Sequence, residues 1–255
     1  MSRCFGKLSS VFYQPDLCSP DVARCRIDEA MRETGEFLRI ATVNPEFLLL
    51  ARSNEKFRAV LKQADMCIAD GVGVALMARL MHRPVQRYAG ADLFFDILDA
   101  AEKEGWSVHF FCRADGLSQW HTVQRVVRER YPQLQVTGED VRCEGIEAYS
   151  SSSIHKAPAI YIANFGAPQQ EYFLEALRAQ GATGVAVGVG GAVDFLTGAV
   201  PRAPRWMRRW GVEWIYRTIH QPHRLGKMLR SVVVFPVIII YNRVLQSIYR
   251  LLWRQ

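Results

Sequence analysis

No two of the six cysteines in this 255-residue chain are spaced as C-x-x-C; Cys4, Cys18, Cys25, Cys67, Cys112 and Cys143 are scattered along it. That scatter fits neither a zinc site nor a disulfide framework. The six histidines show no repeating ligand spacing, so no metal site is expected. There is no D-x-D triplet, and the common carboxylate–metal clamp for a nucleotide diphosphate is therefore not evident. No G-x-G-x-x-G follows the first predicted strand, which argues against a nicotinamide-dependent oxidoreductase. Low-complexity tracts and internal repeats are absent too. Met1 to Ser10 contains no apolar stretch of the signal-peptide kind. Together with the unpaired cysteines, this leads us to expect a reducing cytoplasm.

Acidic residues are nearly missing from one end. From Arg202 onward there are eleven Lys and Arg and a single acid, Glu213, a balance of +10; the preceding body has 21 basic and 24 acidic residues, a balance of −3. Such a tail calls for an anionic partner: phosphate, nucleic acid or acidic lipid headgroups.

What is present is an alternation of short apolar runs and helical patterns. Strands are predicted at Arg39 to Val43, Asp65 to Ala69, Val108 to Cys112, Ala159 to Ala163 and Val185 to Val189. Helices are predicted from Pro45, over Val72 to His82, Ala91 to Glu104, Leu117 to Tyr131 and Gln169 to Gln180, with a loop at Ser150 to Ser153. Asn44 reads as an N-cap before Pro45, the favoured place for proline. The alternation predicts an α/β, Rossmann-like, mostly parallel sheet with helices on both faces. Ligands then belong at the carboxyl ends of the strands. The run Pro201-Arg202-Ala203-Pro204 marks a boundary. We expect a core over residues 1–199 and a basic, aromatic-rich helical appendage over 200–255.

Several loops after these strands carry polar groups: Thr42-Val43-Asn44, Asp70-Gly71-Val72-Gly73, Asn164 to Glu171, and Gly188 to Asp194. Each has a plain reading by itself. Asp-Gly is a common turn, Asn44 a cap, and Asp92 a first-turn acid that favours the helix dipole. Asp194 can orient the glycine loop or simply sit in a turn. A glycine run is a turn as well, although successive backbone N–H groups can also cradle phosphate.

Taken in order, these stretches resemble the WecG/TagA/CpsF family of glycosyltransferases. The matching segments are Thr42 to Asn44, Ala64-Asp65, Asp70 to Gly73, Gly90 to Asp92, Gly166 to Glu171, Gly190 to Phe195, Arg202 to Trp206 and Glu213 to Arg217, with Pro222 and Arg224 after them. The resemblance implies inverting transfer from a UDP-sugar, of the N-acetylmannosamine type or a related hexose, to a sugar on undecaprenyl diphosphate in cell-surface polysaccharide synthesis. It implies that Asp70 is the catalytic base and that no metal cofactor is required. It also implies a donor and acceptor pocket formed by Thr42, Asn44, Gly71, Asp92, Gly166, Gln170, Gly190, Gly191 and Asp194. Arg217 and Arg224 match the family's carboxyl-terminal motif and are candidates for holding a diphosphate, since a guanidinium fork suits phosphate oxygens. Two positions depart from the family's usual residues: Gln169, where Lys or Arg is common, and Val193, where Phe is common.

The tail interleaves Arg202, Arg205, Arg208 and Arg209 with Trp206 and Trp210, followed by Arg217, Arg224, Lys227 and Arg230. Such interleaving also suits single-stranded nucleic acid, so a nucleic-acid-binding protein is the alternative class. The apolar run Val232 to Ile240, interrupted by Pro236, argues against it and is shorter than the ~20 residues of a spanning helix. Farther on, Val244, Leu245, Ile248, Tyr249, Leu251 and Leu252 recur at helical spacing opposite Arg243, Gln246, Arg250 and Arg254. That is the pattern of a helix lying in a membrane interface. The expected partners are a UDP-sugar donor, a polyprenyl-diphosphate-linked acceptor and an anionic membrane surface, with no nucleic acid and with a homo-oligomer left open. The expected place is the cytoplasmic face of the bacterial inner membrane, as a peripheral protein.

Overall fold

A computed structural model describes residues 13–33, 35–146, 157–220, 225–241 and 244. Seven strands form one sheet in the order β1-β3-β2-β7-β6-β4-β5, and every neighbouring pair is parallel. They are β1 (Leu17–Cys18), β2 (Phe37–Val43), β3 (Met66–Ala69), β4 (Val108–Arg113), β5 (Val136–Val141), β6 (Ala159–Ala163) and β7 (Gly184–Gly188). The inner strands are buried on both faces, as a sheet sandwiched between helices requires. The predicted fold class is thus the observed one.

The alternation of side chains along each strand sorts them into two layers. On one face, Leu38, Ile40, Ile68, Phe110, Ile160 and Val187 meet α1 (Pro20–Arg32), α5 (Gly90–Glu104), α6 (Trp120–Arg130) and α8 (Ala192–Thr197). On the other, Ala41, Val43, Ala69, Phe111, Tyr161 and Ala186 meet α2 (Pro45–Ser53), α3 (Glu55–Lys62), α4 (Val72–Leu80) and α7 (Gln169–Ala179). Local chemistry sets the ends of these helices. Asn44 caps α2 by accepting from the Phe47 N–H at 3.1 Å, and Gly105, at φ +73°, terminates α5 in a left-handed turn.

Several boundaries differ from the sequence reading. Asp65 is not in β3; its carboxylate accepts from the Arg39 backbone N–H at 2.8 Å. Helix α4 stops at Leu80, and α6 begins at Trp120, whose backbone N–H donates to the Asp140 carboxylate at 2.7 Å. The predicted loop at Ser150 to Ser153 lies outside the described residues.

After α8 the chain continues through 199–204 into α9 (Arg205–Trp210), α10 (Glu213–His220), α11 (Leu225–Leu229), a wider π-helical turn at Arg230–Val234, and a helix over 235–241. Phe235 is fully buried in the layer formed by α2 and α4, with Ile238 and Ile239 half-buried beside it. Its ring lies so close to Gly73 that a Cβ there would be 3.5 Å away. Val233, Val234, Val237, Ile240 and Tyr241 face outward. Residues 232–241, read from sequence as part of a membrane-surface appendage, therefore have one face docked on the core. The helix expected after Val244 lies outside the described residues. No helix among the described residues is long and apolar enough to cross a membrane.

Candidate active site

Four of the polar loops follow β3, β2, β7 and β6, and these strands are consecutive neighbours in the sheet. Folding thus gathers residues far apart in sequence along one edge. A cavity of about 330 Å³ opens there, lined by Thr42, Asn44, Asp70, Gly166, Gln170, Gly190, Gly191 and Arg217 among others. Its size suits a small polar ligand.

Asp70 sits at the turn after β3, partly open to the cavity. Its backbone N–H is tied to the Val43 carbonyl at 2.8 Å, and Gly71 follows at φ +92°, a conformation that L side chains rarely adopt. One carboxylate oxygen accepts from the Gly90 N–H at 3.0 Å, at the start of α5. Gly90 is closely packed: a Cβ there would be 3.2 Å from Thr42 Cγ2 and 3.6 Å from Asp70 Oδ2. Desolvation pushes the Asp70 carboxyl above its ordinary value; the Gly90 N–H and the charges of Arg217 and Arg87 pull it back, while Glu213 pushes it farther up. The residue combines a poor solvent environment with one fixed donor, so it holds a proton more readily than an exposed aspartate.

The walls around it are braced. The Thr42 hydroxyl donates to the Gly188 carbonyl at 3.0 Å, joining β2 to the end of β7. Asn44 spends its oxygen on the helix cap, which leaves its amide nitrogen for other partners. Gln170 is almost fully buried; its oxygen accepts from the Gly166 N–H at 3.1 Å and its nitrogen donates to Glu171 at 3.2 Å. Arg217 comes from α10, packs over the Phe195 ring at 4.5 Å, and pairs with Glu213 at 3.4 Å.

Three of the sequence-predicted site residues lie outside this lining. Gly71 shapes the turn behind Asp70. Asp92 forms ion pairs with Arg202 and, at 3.5 Å, Arg208, tying α5 to the basic segment. Asp194 accepts from the Ser118 hydroxyl at 2.7 Å, beneath the glycine loop. Arg224 is outside the described residues. Two lining residues, Lys227 and Arg230, were read from sequence only as part of the basic tail. Their 3-residue spacing on a basic helix was visible, but nothing local indicates that the chain folds back onto α2. Among the described residues, no cluster of three or more His, Cys, Asp or Glu side chains could hold a metal ion.

An Asp presented at a strand end, in a cavity that arginine, lysine and glycine loops also line, is an arrangement suited to group transfer with an anionic leaving group. Comparison with known proteins agrees. Residues 13–248 match the model of the glycosyl transferase WecG/TagA/CpsF family, and the chain belongs to that family. It is 34% identical over 192 residues to a Bacillus spizizenii protein named N-acetylglucosaminyldiphosphoundecaprenol N-acetyl-beta-D-mannosaminyltransferase, covering 74% of each chain. A Bacillus subtilis protein of the same name is 31% identical over the same length and coverage. The protein is thus a glycosyltransferase, and neither its fold nor its relatives lend support to the nucleic-acid-binding alternative.

Proposed function

We propose that this enzyme transfers an N-acetylmannosamine-type sugar, with inversion, from a UDP-sugar to an N-acetylglucosamine carried on undecaprenyl diphosphate. The acceptor and sugar class follow the names of the two Bacillus relatives. The observation that carries the reading is that Asp70, Arg217, Lys227 and Arg230 line one cavity at the carboxyl ends of the strands. In this reading the acceptor hydroxyl oxygen attacks the anomeric carbon while Asp70 takes its proton. The bond from that carbon to the UDP oxygen breaks, and the electron pair leaves with UDP. The three cations and the N–H groups of the Gly190-Gly191 loop meet the charge gathering on the diphosphate. This set of donors supports metal-independent transfer.

Attachment to an anionic leaflet is part of the same proposal. Trp206 and Trp210 are 63% and 78% exposed, and Val233, Val237 and Ile240 form an outward apolar face on the helical rod. Docked lipid-side, that rod would hold its inward face, with Lys227 and Arg230, over the cavity and within reach of a membrane-borne diphosphate. UDP release is the direct assay, with UDP-N-acetylmannosamine and a short-chain acceptor. Asp70→Asn should lower turnover by about 10²–10⁴-fold, the range of general base catalysis, with UDP affinity kept. Near-normal turnover would remove Asp70 from the role of base.

A further inference from the structure

Beneath the cavity floor lies an ion pair that the chemistry above does not use. Arg39, in the middle of β2, and Glu171, in the first turn of α7, are both fully buried, with Nη1 and Oε2 2.8 Å apart. Arg39 also has Glu175 Oε2 2.9 Å from its Nε and donates to the Val60 carbonyl. The network reaches the surface through Arg178, which pairs with Asp65. Buried pairs of this kind add little stability over apolar residues of the same size. Stability alone is therefore a weak reason for placing one here.

The other Glu171 oxygen accepts from Gln170, and Gln170 lines the cavity. We infer that Glu171, paired with Arg39, is a positioning residue that fixes which way round the Gln170 amide faces. An amide can be turned over with almost no change in shape. Here its two neighbours allow one orientation. A carboxylate only accepts, so the nitrogen must face Glu171; the Gly166 N–H only donates, so the oxygen must face Gly166. Turned over, the amide of this almost fully buried side chain would set donor against donor and acceptor against acceptor. Burial pushes the Glu171 carboxyl up, and Arg39 and the Gln170 amide pull it back. The ionised form is the one in which both oxygens meet donors.

The consequence reaches the glycine loop. Gln170 lies so tightly against Gly188 that a Cβ there would overlap its amide, and its oxygen is 3.9 Å from where a Gly190 Cβ would stand. A turned amide would present its NH₂ to the Gly166 turn and push on the floor that leads into Gly190-Gly191. Because the Gly190-Gly191 loop meets the UDP diphosphate in the proposed function, the inference rests on that reading for its effect on ligand.

The test is a double-mutant cycle on UDP binding, read by calorimetry. Glu171→Gln keeps the shape, but Arg39 can only donate and so takes its oxygen, which leaves an NH₂ facing the Gln170 nitrogen and removes the acceptor that holds the amide in its native orientation. UDP affinity should fall about 10-fold, of the order expected for one mismatched hydrogen bond. In a Gln170→Ala background the same substitution should change affinity less than 2-fold. An equal loss in both backgrounds, or no loss in either, overturns the inference, since a merely structural role would not act through Gln170. If Glu171→Gln fails to fold, Arg39→Met with Glu171→Leu replaces the pair by apolar residues of similar size. That variant should fold and show the same weakened UDP binding; full affinity in it overturns the inference. The side-chain ¹⁵N–¹H₂ signals of Gln170 report the amide without ligand and should move in Glu171→Gln. Unmoved signals overturn the positioning role, whereas failure of the wild-type protein to bind UDP counts against the donor reading.

Discussion

Phe235→Ala should open the cavity wall while the sheet stays folded. Phe235 is the one fully buried side chain described in residues 225–241; Ile238 and Ile239 are half-buried and much of the remainder faces solvent. Truncating a buried Phe to Ala costs about 3–5 kcal/mol. Since every 1.4 kcal/mol is tenfold, the ratio of docked to undocked segment should drop by about 100-fold or more. The loss should fall on local opening, because the segment can leave without breaking a strand pair. Hydrogen exchange of peptides from 225–241 should therefore accelerate by about two orders of magnitude. UDP affinity should weaken as Lys227 and Arg230 depart. If instead the whole cost were global, the main thermal transition would fall by roughly 6–20 °C, at about 2–4 °C per kcal/mol for a chain of this size. A fall of that size with exchange in 225–241 unchanged would refute the reasoning and make Phe235 an ordinary core residue.

The Asp70 carboxyl, raised by burial, must be ionised to act as base, so kcat/KM should fall as pH drops through a value above the ~3.9 of a free aspartate. Arg217 favours the charged form, so Arg217→Gln should move that acid limb upward; a limb that stays or moves down would show that Arg217 does not act on Asp70. Transfer should persist in excess EDTA, and loss of activity restored by manganese or magnesium would overturn metal-independence. Val233→Glu with Val237→Glu should reduce sedimentation with anionic vesicles while leaving activity on a water-soluble acceptor within about 2-fold, and unchanged sedimentation would remove this face from membrane contact. Those substitutions test the membrane face more cleanly than deleting residues 232–255, which would also remove Phe235 from the core.

The parallel sheet was legible because its inner strands are short apolar runs ending in Asn44, Asp70, Asn164 or Gly190, and chain order plus strand-end logic placed the ligand edge. Strand β5 was not, since Gly138, Glu139 and Asp140 at an edge carry little hydrophobic signal. Helix α1 has its N-cap, Ser19, and a buried stripe at Ala23, Ile27 and Ala30, but that stripe is weak and polar residues dilute it. At the site, local turn chemistry exposed Asp70 and the glycine loop. It could not show that Asp92 would be engaged by Arg202, 110 residues away, nor that Arg39 in an apolar strand would meet Glu171. Pairings of that range are decided by the tertiary fold, and no window of sequence contains both partners.

The cavity's cationic wall comes from residues 217–230, after the last strand of the sheet has ended at Gly188. Synthesis runs from the amino terminus, and earlier parts of a chain fold first. On the ribosome, Asp70 and the glycine loops can be in place while the groups proposed to counter a leaving diphosphate are still unmade. On the proposed mechanism, a nascent chain would be an enzyme without its counter-charges until residues 217–230 emerge and reach the cavity.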